Sequence, residues 1–326
     1  MTTRKRPRSA TIPRPPHPRE RREPLPWQRP KPARDDARAP KRLKRILASP
    51  SYREAERDLA FLDHDDTRGL RLELEYLKAE SLLREQRIRH TVLVLGSTRI
   101  AERAAARRQV NRLRRACVAS SGDGAFKERL AVAQRVLANS RYYEVARQFG
   151  RIVGEKARLP DGSRAAIVTG GGPGIMEAAN RGAFDAGAPS IGLNISLPKE
   201  QFPNPYVTPE LCLLFRYFAL RKLHFLLRAR ALVAFPGGFG TFDELFETLT
   251  LVPTRKIKPL PVVLVGRSYW EQASNAGFLI DEGTIDTEDR ELFWFAESAQ
   301  EIWDGIVRWY RLAGEDVFPA PAVRAR

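Results

Sequence analysis

Cysteine and long apolar stretches are the scarce features of this sequence. Only 2 of its 326 residues are cysteine, which is too few for a disulfide-stabilised scaffold and favours a reducing compartment, so we expect a cytoplasmic protein. No apolar stretch approaches the ~20 residues that a membrane-spanning helix needs, and the charged N-terminus lacks the apolar segment of a signal peptide. These shortages argue against a membrane protein and a disulfide-rich secreted protein. The hydrophobic content of 43% is enough for a substantial core and excludes disorder of the whole chain.

Acidic residues are also outnumbered, and the imbalance is concentrated at the N-terminus. The 56 Lys and Arg exceed the 39 Asp and Glu by 17. Residues 1–46 hold 16 basic and 4 acidic residues, or +12, together with 10 of the 24 prolines, whereas the other residues carry only +5. A segment so rich in Arg and Pro cannot repay the entropy of ordering, so we predict a disordered tail. Two interpretations stay open: a tether for nucleic acid or another anionic partner, and a solubilising extension.

The next segment is predicted to be helical, over residues 51–62 and 67–87. In the second of these helices the apolar residues form a stripe against Arg, Glu and Lys: Leu70, Leu74, Leu77, Leu82 and Leu83. We expect this pair of helices to pack on the main domain or on a partner chain.

From residue 91 onward, short apolar segments alternate with helical ones. The predicted strands are 91–96, 165–172, 190–194, 211–215, 231–235, 260–265 and 291–295, and the predicted helices are 100–119, 126–153, 174–187, 216–229, 240–251, 267–278 and 299–312. This alternation predicts an α/β fold: a Rossmann-like, doubly wound parallel sheet with flanking helices. The resulting domain prediction is a tail at 1–46, a helical segment at 47–90, a main domain at 91–312 and a C-terminal tail at 313–326.

Two glycine-rich loops follow predicted strands and open helices. We call residues 170–174 (GGGPG) the first glycine loop and residues 236–241 (PGGFGT) the second glycine loop. Glycine lets backbone N–H groups approach an anion, and a helix N-terminus adds positive potential, so the two loops together predict a phosphate or nucleotide ligand. The alternative for each loop is plain turn chemistry. Neither loop matches the dinucleotide or P-loop pattern, and the strand after the first loop ends in Asn194 rather than Asp or Glu, so a mononucleotide is the simplest occupant.

Candidate catalytic groups lie beside the second glycine loop. Glu244 is expected in the first turn of the following helix, where a carboxylate can accept ribose hydroxyls, orient water or stabilise positive charge on a sugar. The alternative is a capping box formed by Thr241 and Glu244. Arg221 and Lys222, on the preceding helix, are either contacts for the same ligand or part of an exposed face. His224 is expected to be packed in the core, and no spacing of His, Cys and acidic residues predicts a metal site.

Taken together, these motifs resemble the Lonely Guy (LOG) family of Rossmann-like nucleotide hydrolases, in its larger bacterial branch. The family motif P-G-G-x-G-T-x-x-E matches residues 236–244 in full, and TGGGPGIMEAA at 169–179 resembles the family's other glycine-rich motif. Arg221 and Lys222 match the Arg-Lys pair of the family's preceding helix, and Gly96-Ser97 resembles its first-strand Gly-Ser. The resemblance covers about residues 91–310 and makes residues 91–312 the nucleotide-binding catalytic domain.

The resemblance implies a hydrolase that cleaves a nucleoside 5′-monophosphate into a free base and ribose 5-phosphate. The substrate would be AMP or an N6-modified AMP such as a cytokinin riboside monophosphate. Arg221 and Glu244 would be the catalytic pair, and the implied substrate-binding residues are Gly96, Ser97, Gly171, Gly172, Gly174, Met176, Lys222, Gly237, Gly238, Gly240 and Thr241. Family members are usually dimers or larger, so we expect a homo-oligomer, and we expect no cofactor. No lysine has the sequence context of a pyridoxal-phosphate enzyme, so amino-acid decarboxylation is not supported.

Two other functional classes stay open at this point. The first is a non-catalytic carrier that binds a nucleotide or cofactor on the same fold. The second is a nucleic-acid-associated protein that uses the basic segment 1–46, whose binding would depend strongly on salt.

Overall fold

A computed structural model describes residues 23–119, 124–157, 163, 165–198, 202–315 and 317–318. The chain divides into two units, Met1–Arg68 and Gly69–Arg326. Residues 1–22, which carry much of the predicted basic tail, lie outside the described residues.

The first unit contains two helices, α1 (Ala39–Leu47) and α2 (Leu59–Leu62), and several short 3-10 turns. Helix α1 lies in the segment that we expected to be disordered, so regular structure begins earlier than predicted. Pro40 occupies its first turn, where a missing N–H costs no hydrogen bond. The helix predicted over residues 51–62 is wrong except for its last turn. The carboxylate of Asp58 accepts a hydrogen bond from the Phe61 N–H at 3.3 Å, and this cap starts α2 afresh.

All seven predicted strands form, and every neighbouring pair is parallel. They are β1 (His90–Leu95), β2 (Ala165–Thr169), β3 (Ser190–Ile195), β4 (Cys212–Phe215), β5 (Ala229–Ala234), β6 (Val262–Val265) and β7 (Phe293–Ala296). Their order in the sheet is β4-β3-β2-β1-β5-β6-β7. This is the predicted Rossmann-like, doubly wound topology. The strand order reverses at β1, so a crevice is expected beyond the carboxyl ends of β1 and β5.

The sheet is buried on both faces, which explains why its strands are mainly apolar rather than alternating between apolar and polar residues. In β1, Val92 and Val94 point into one core cluster, and Leu93 and Leu95 point into the other. Ten helices accompany the sheet in the described part of the chain: α3 (Arg68–Glu85), α4 (Arg103–Ala119), α5 (Gly124–Asn139), α6 (Arg141–Lys156), α7 (Ile175–Asp185), α8 (Phe218–Leu227), α9 (Phe239–Leu251), α10 (Arg267–Ala273), α11 (Ala276–Asp281) and α12 (Ala299–Leu312). Helices α6, α7 and α12 cover the first face, and α3, α8, α9 and α10 cover the second.

Two helices that we predicted as continuous are each divided in two. The segment 126–153 breaks at Ser140, whose hydroxyl donates to the Leu137 carbonyl at 2.7 Å and competes with the helical hydrogen bonds. The segment 267–278 breaks at Asn275, whose side chain caps α11 by accepting a hydrogen bond from the Phe278 N–H at 3.1 Å. Polar side chains that bond to the nearby backbone cause both breaks.

The apolar stripe of α3 is divided between core and surface. Leu83 and Ala79 are buried and Leu82 is half-buried, whereas three residues are each about half exposed: Leu70, Leu74 and Leu77. In the predicted C-terminal tail, Phe318 is buried against Trp303 and Tyr310 of α12. None of the helices in the described part of the chain has the length and apolar character to cross a membrane.

Candidate functional site

The residues that follow β1, β2 and β5 meet at the carboxyl edge of the sheet. The Ser97 N–H donates to the Pro236 carbonyl at 3.0 Å, and the Ile175 N–H donates to the Ser97 carbonyl at 3.1 Å. Ser97 therefore connects the second glycine loop to the start of α7. A Cβ on Gly96 would lie 2.6 Å from the Ile175 side chain, so this close approach requires glycine at position 96. The structure thus brings Gly96 and Ser97 together with both loops.

The first glycine loop is shaped by two glycines with positive φ. Gly171 has φ +71° and Gly174 has φ +77°, and a Cβ on Gly174 would lie 2.3 Å from the Ser97 carbonyl oxygen. The side chain of Met176 packs so closely against this loop that a Cβ on Gly170 or on Gly172 would lie 2.9 Å from it. Glycine is therefore required for the backbone shape as well as for access to a ligand.

Asn204, from the segment between β3 and β4, stabilises the first glycine loop by hydrogen bonds to its backbone. Its Nδ2 lies 3.1 Å from the Gly171 carbonyl, 3.0 Å from the Gly172 carbonyl and 2.9 Å from Oδ1 of Asn180. Its Oδ1 accepts a hydrogen bond from the Tyr206 N–H at 3.1 Å, which supports this orientation of the amide. Sequence analysis did not single out Asn204, because its partners lie more than 20 residues away along the chain.

The second glycine loop forms the N-terminus of α9, and its geometry corrects the predicted place of Glu244. Gly238 is the N-cap residue, and the Thr241 N–H donates to its carbonyl at 2.9 Å. Thr241 is therefore inside the helix, and Glu244 lies in the second turn rather than the first. The proposed capping box is consequently wrong. Thr241 and Glu244 are three residues apart and occupy the same side of α9.

A cavity of about 560 Å³ lies beside the second loop. The segment after β1 lines it with Ser97 and Arg99, and α5 contributes Val136 and Asn139. The loop itself lines the cavity through Pro236 to Thr241, and Tyr269 closes one side while donating a hydrogen bond to the Gly237 carbonyl. The glycines of the first loop do not line this cavity. Its position at the reversal of strand order is where doubly wound sheets bind ligands.

Arg221 of α8 and Glu244 of α9 form a largely buried ion pair, and neither side chain is part of the lining of this cavity. Nη2 of Arg221 donates to Oε1 of Glu244 at 3.2 Å, with 13% and 7% of the two side chains exposed. The guanidinium also lies over the rings of Phe218 and Phe225, at 4.8 and 5.4 Å from their centroids. Nε of Arg221 is buried and has no hydrogen-bond partner among the described residues. The two side chains are thus in direct contact, but the hydrogen-bond donors of Arg221 are not all used.

Burial dominates the protonation of this pair. Desolvation raises the pKa of Glu244 above its ordinary value, although the charge of Arg221 partly opposes the shift. Desolvation likewise lowers the pKa of Arg221, against the opposing effect of Glu244. A carboxyl group with a raised pKa in a cleft is a common feature of catalytic sites.

Lys222 points to other carboxylates. Its Nζ lies 2.8 Å from Oδ1 of Asp243 and 3.3 Å from Oε2 of Glu247. The second contact is an ion pair without hydrogen-bond geometry, since Glu247 Oε2 has no hydrogen-bond partner among the described residues. The structure therefore places Lys222 on the acidic side of α9 and not in the lining of the cavity.

His224 has no part in the candidate site, and the described residues show no metal site. His224 is buried as predicted, with its Nδ1 at 2.8 Å from the Leu220 carbonyl and its ring between Tyr76 and Phe215. Among the residues that the structure describes, no group of three or more His, Cys, Asp or Glu side chains could hold a metal ion.

Comparison with known proteins gives matches over part of the chain. A model described as "Possible lysine decarboxylase" matches residues 176–306. The chain is 30% identical over 141 residues to cytokinin riboside 5′-monophosphate phosphoribohydrolase LOG4 of Arabidopsis thaliana, and the match covers 42% of this chain and 64% of that protein. It is 30% identical to LOG3 of the same plant, with the same coverage. The chain thus spans slightly under two thirds of the length of these relatives. A molybdenum cofactor binding protein from Rippkaea orientalis aligns with a TM-score of 0.36 and 20% identity, covering 52% of this chain and 87% of that structure.

Proposed function

We propose, since this chain belongs to the LOG family, that it is a nucleoside 5′-monophosphate phosphoribohydrolase. The reaction would consume water and release a free base and ribose 5-phosphate. AMP or an N6-modified AMP is the substrate that we favour, because the two relatives are named as phosphoribohydrolases of cytokinin riboside 5′-monophosphates.

The observation that carries this proposal is the buried Arg221–Glu244 pair beside the second glycine loop. Thr241 lies in the cavity, and Glu244 follows it by less than one helical turn on the same side of α9. A nucleotide whose phosphate occupies the loop would therefore place its sugar near the carboxylate.

The chemistry of N-glycosidic cleavage suits such a carboxylate. As the base departs with the bonding electron pair, positive charge develops on the sugar, and a water oxygen then bonds to the anomeric carbon. An ionised Glu244 would stabilise that charge and accept a proton from the attacking water. That proton then passes to solvent, and the departing base takes up one proton from solvent, so that the neutral base is released and Glu244 is ionised again. Arg221 would hold the carboxylate in place, and the anchored phosphate would fix the position of the sugar.

A screen of nucleoside 5′-monophosphates for base release tests the proposal. We expect turnover of AMP or of N6-modified AMP, and we expect Glu244→Gln to lower kcat by about 100-fold or more. Asp243→Asn is the matched control, because it removes the neighbouring carboxylate, whose side chain is 54% exposed, and it should retain activity within a few-fold.

Two outcomes would contradict the proposed reaction. One is the absence of base release from every nucleotide tested with the wild-type protein. The other is equal turnover by the wild type and Glu244→Gln. Tight binding of AMP without any release of base would instead support the carrier alternative.

The assembly and location in this proposal are a homo-oligomer, a dimer or larger, in the cytoplasm. Half-exposed apolar side chains on α8, at Leu223 and Leu227, support self-association because such surfaces are normally covered. Sedimentation of the purified protein measures the assembly, and a monomer at micromolar concentration would contradict this part.

A further inference from the structure

The cations near the proposed nucleotide site are not equally available to a ligand. Arg221 is engaged by Glu244, and Lys222 is held by Asp243 and Glu247. Both side chains therefore already neutralise carboxylates of α9. A nucleotide phosphate carries close to two negative charges at neutral pH, and backbone N–H groups supply only partial positive charge. A further cation at the cavity would complete the site.

Arg99 is a cation in the lining of the cavity itself. It faces the same space as Ser97 and the glycines of the second loop. In the part of the chain that the structure describes, its guanidinium has neither an ion pair nor a hydrogen bond. It is also exposed, so its charge is available to a ligand that enters from solvent.

The backbone around Arg99 is held in position by two contacts. The Arg99 N–H donates to Oγ of Ser97 at 3.0 Å, and the next residue, Ile100, is buried in the core. The Ser97 N–H is in turn bonded to Pro236 at the start of the second loop. The base of the arginine side chain is therefore fixed relative to the glycine loop, while its guanidinium remains free to reach a ligand.

We propose that Arg99 binds the 5′-phosphate of the nucleotide, opposite the backbone of the second glycine loop. This inference rests on the proposed function, because it assigns the phosphate of that substrate to this cavity. A planar guanidinium can donate two parallel hydrogen bonds to phosphate oxygens, which a glycine loop alone cannot replace. Arg99 is thus a substrate-binding residue, and its role is separate from the Arg221–Glu244 pair.

Ligand binding to variants of the full-length protein tests this assignment without requiring turnover. Binding of AMP, ribose 5-phosphate and adenosine is measured by calorimetry in the Glu244→Gln protein, in which hydrolysis is slowed. The parent Glu244→Gln protein is compared with the same protein carrying Arg99→Ala or Arg99→Lys. Losing charge-assisted hydrogen bonds should weaken AMP and ribose 5-phosphate by about 10- to 100-fold in Arg99→Ala. Adenosine, which lacks the phosphate, should bind equally to both proteins, and Arg99→Lys should recover part of the affinity.

Arg107→Ala is the matched control, because it removes one exposed arginine of α4 that does not line the cavity. It should bind AMP as the parent protein does. The assignment is wrong if Arg99→Ala binds AMP like its parent, if it loses AMP and adenosine equally, or if the parent binds neither AMP nor ribose 5-phosphate. Arg99-dependent binding of AMP without hydrolysis by the wild type would uphold the assignment and refute the proposed reaction.

Discussion

At the scale of single residues, the Arg221–Glu244 pair balances two opposing effects. Burial disfavours the charged form of each side chain, and the mutual attraction favours both. The net direction for Glu244 is a raised pKa, so its contribution to folding is fully present below the ordinary value of 4.5. That contribution is lost as the pH rises through the pKa of the folded state. Above the pKa of the folded state, the ionised carboxylate is therefore held at some cost to stability, as is common at functional sites.

Removing the arginine charge should raise the pKa of Glu244 further. Arg221 is the largest charge effect that lowers this pKa, and Lys222 is a smaller one. If ionised Glu244 is the reactive form, the acid limb of the pH profile of kcat/KM should move to higher pH in Arg221→Met. Lys222→Met is the charge-matched control and should show a smaller shift in the same direction. Carbon NMR titration of the Glu244 carboxyl group measures the pKa directly, and an unshifted titration in Arg221→Met would disprove this account.

At the scale of elements, the two glycine loops are held in different ways. The second loop is continuous with the N-terminus of α9, and Tyr269 of α10 bonds to its Gly237 carbonyl. The first loop depends on Asn204, a buried side chain from another connection of the sheet. The shape of the first loop is thus a tertiary property, although its glycines are evident in the sequence.

Asn204→Ala should disturb the first loop without touching the catalytic pair. The loss of its amide leaves the Gly171 and Gly172 carbonyls without this donor, which costs about 1–3 kcal/mol when such groups stay buried. We expect a lower free energy of unfolding in urea and a raised KM, with a smaller change in kcat. Tyr206→Phe, two residues away, keeps the backbone bond to Asn204 and should resemble the wild type. Equal stability of Asn204→Ala and wild type would show that the loop holds its own shape.

At the scale of the whole molecule, charge is distributed unevenly between the N-terminal segment and the rest of the chain. Residues 1–46 carry +12 of the total of +17, and the nucleotide site lies in the part with +5. The net charge therefore does not report on the nucleotide site, whose charges come from single side chains and from backbone N–H groups.

Deletion of residues 1–46 should separate the two properties. We expect the shortened protein to release base from nucleotides at the same rate, because no residue of the proposed site lies in the deleted segment. If the segment is a tether, binding of the full-length protein to RNA or DNA should weaken steeply with added salt, and the deletion should abolish that binding. Salt-sensitive binding that survives the deletion would rule out the tether.

Much of the fold was predictable because parallel strands buried on both faces are continuous apolar segments. All seven strands and the strand-to-helix position of both glycine loops were predicted correctly. The helix breaks at Ser140 and Asn275 were missed, because there a single polar side chain competes with the helical backbone. The alternative in which Thr241 and Glu244 form a capping box is wrong for a similar local reason, since Gly238 starts the helix three residues earlier than Thr241 would.

Local periodicity and short motifs were enough to predict the parallel α/β sheet, the two glycine loops and the residue types of the candidate site. The pairing of the charges, in contrast, became known only from the folded structure. Arg221 and Lys222 are adjacent in sequence, yet one pairs with Glu244 and the other with Asp243, whereas Arg99 has no acidic partner among the described residues. The physical reason is that pairing and desolvation depend on contacts between elements distant in the chain, here α8, α9 and the segment after β1.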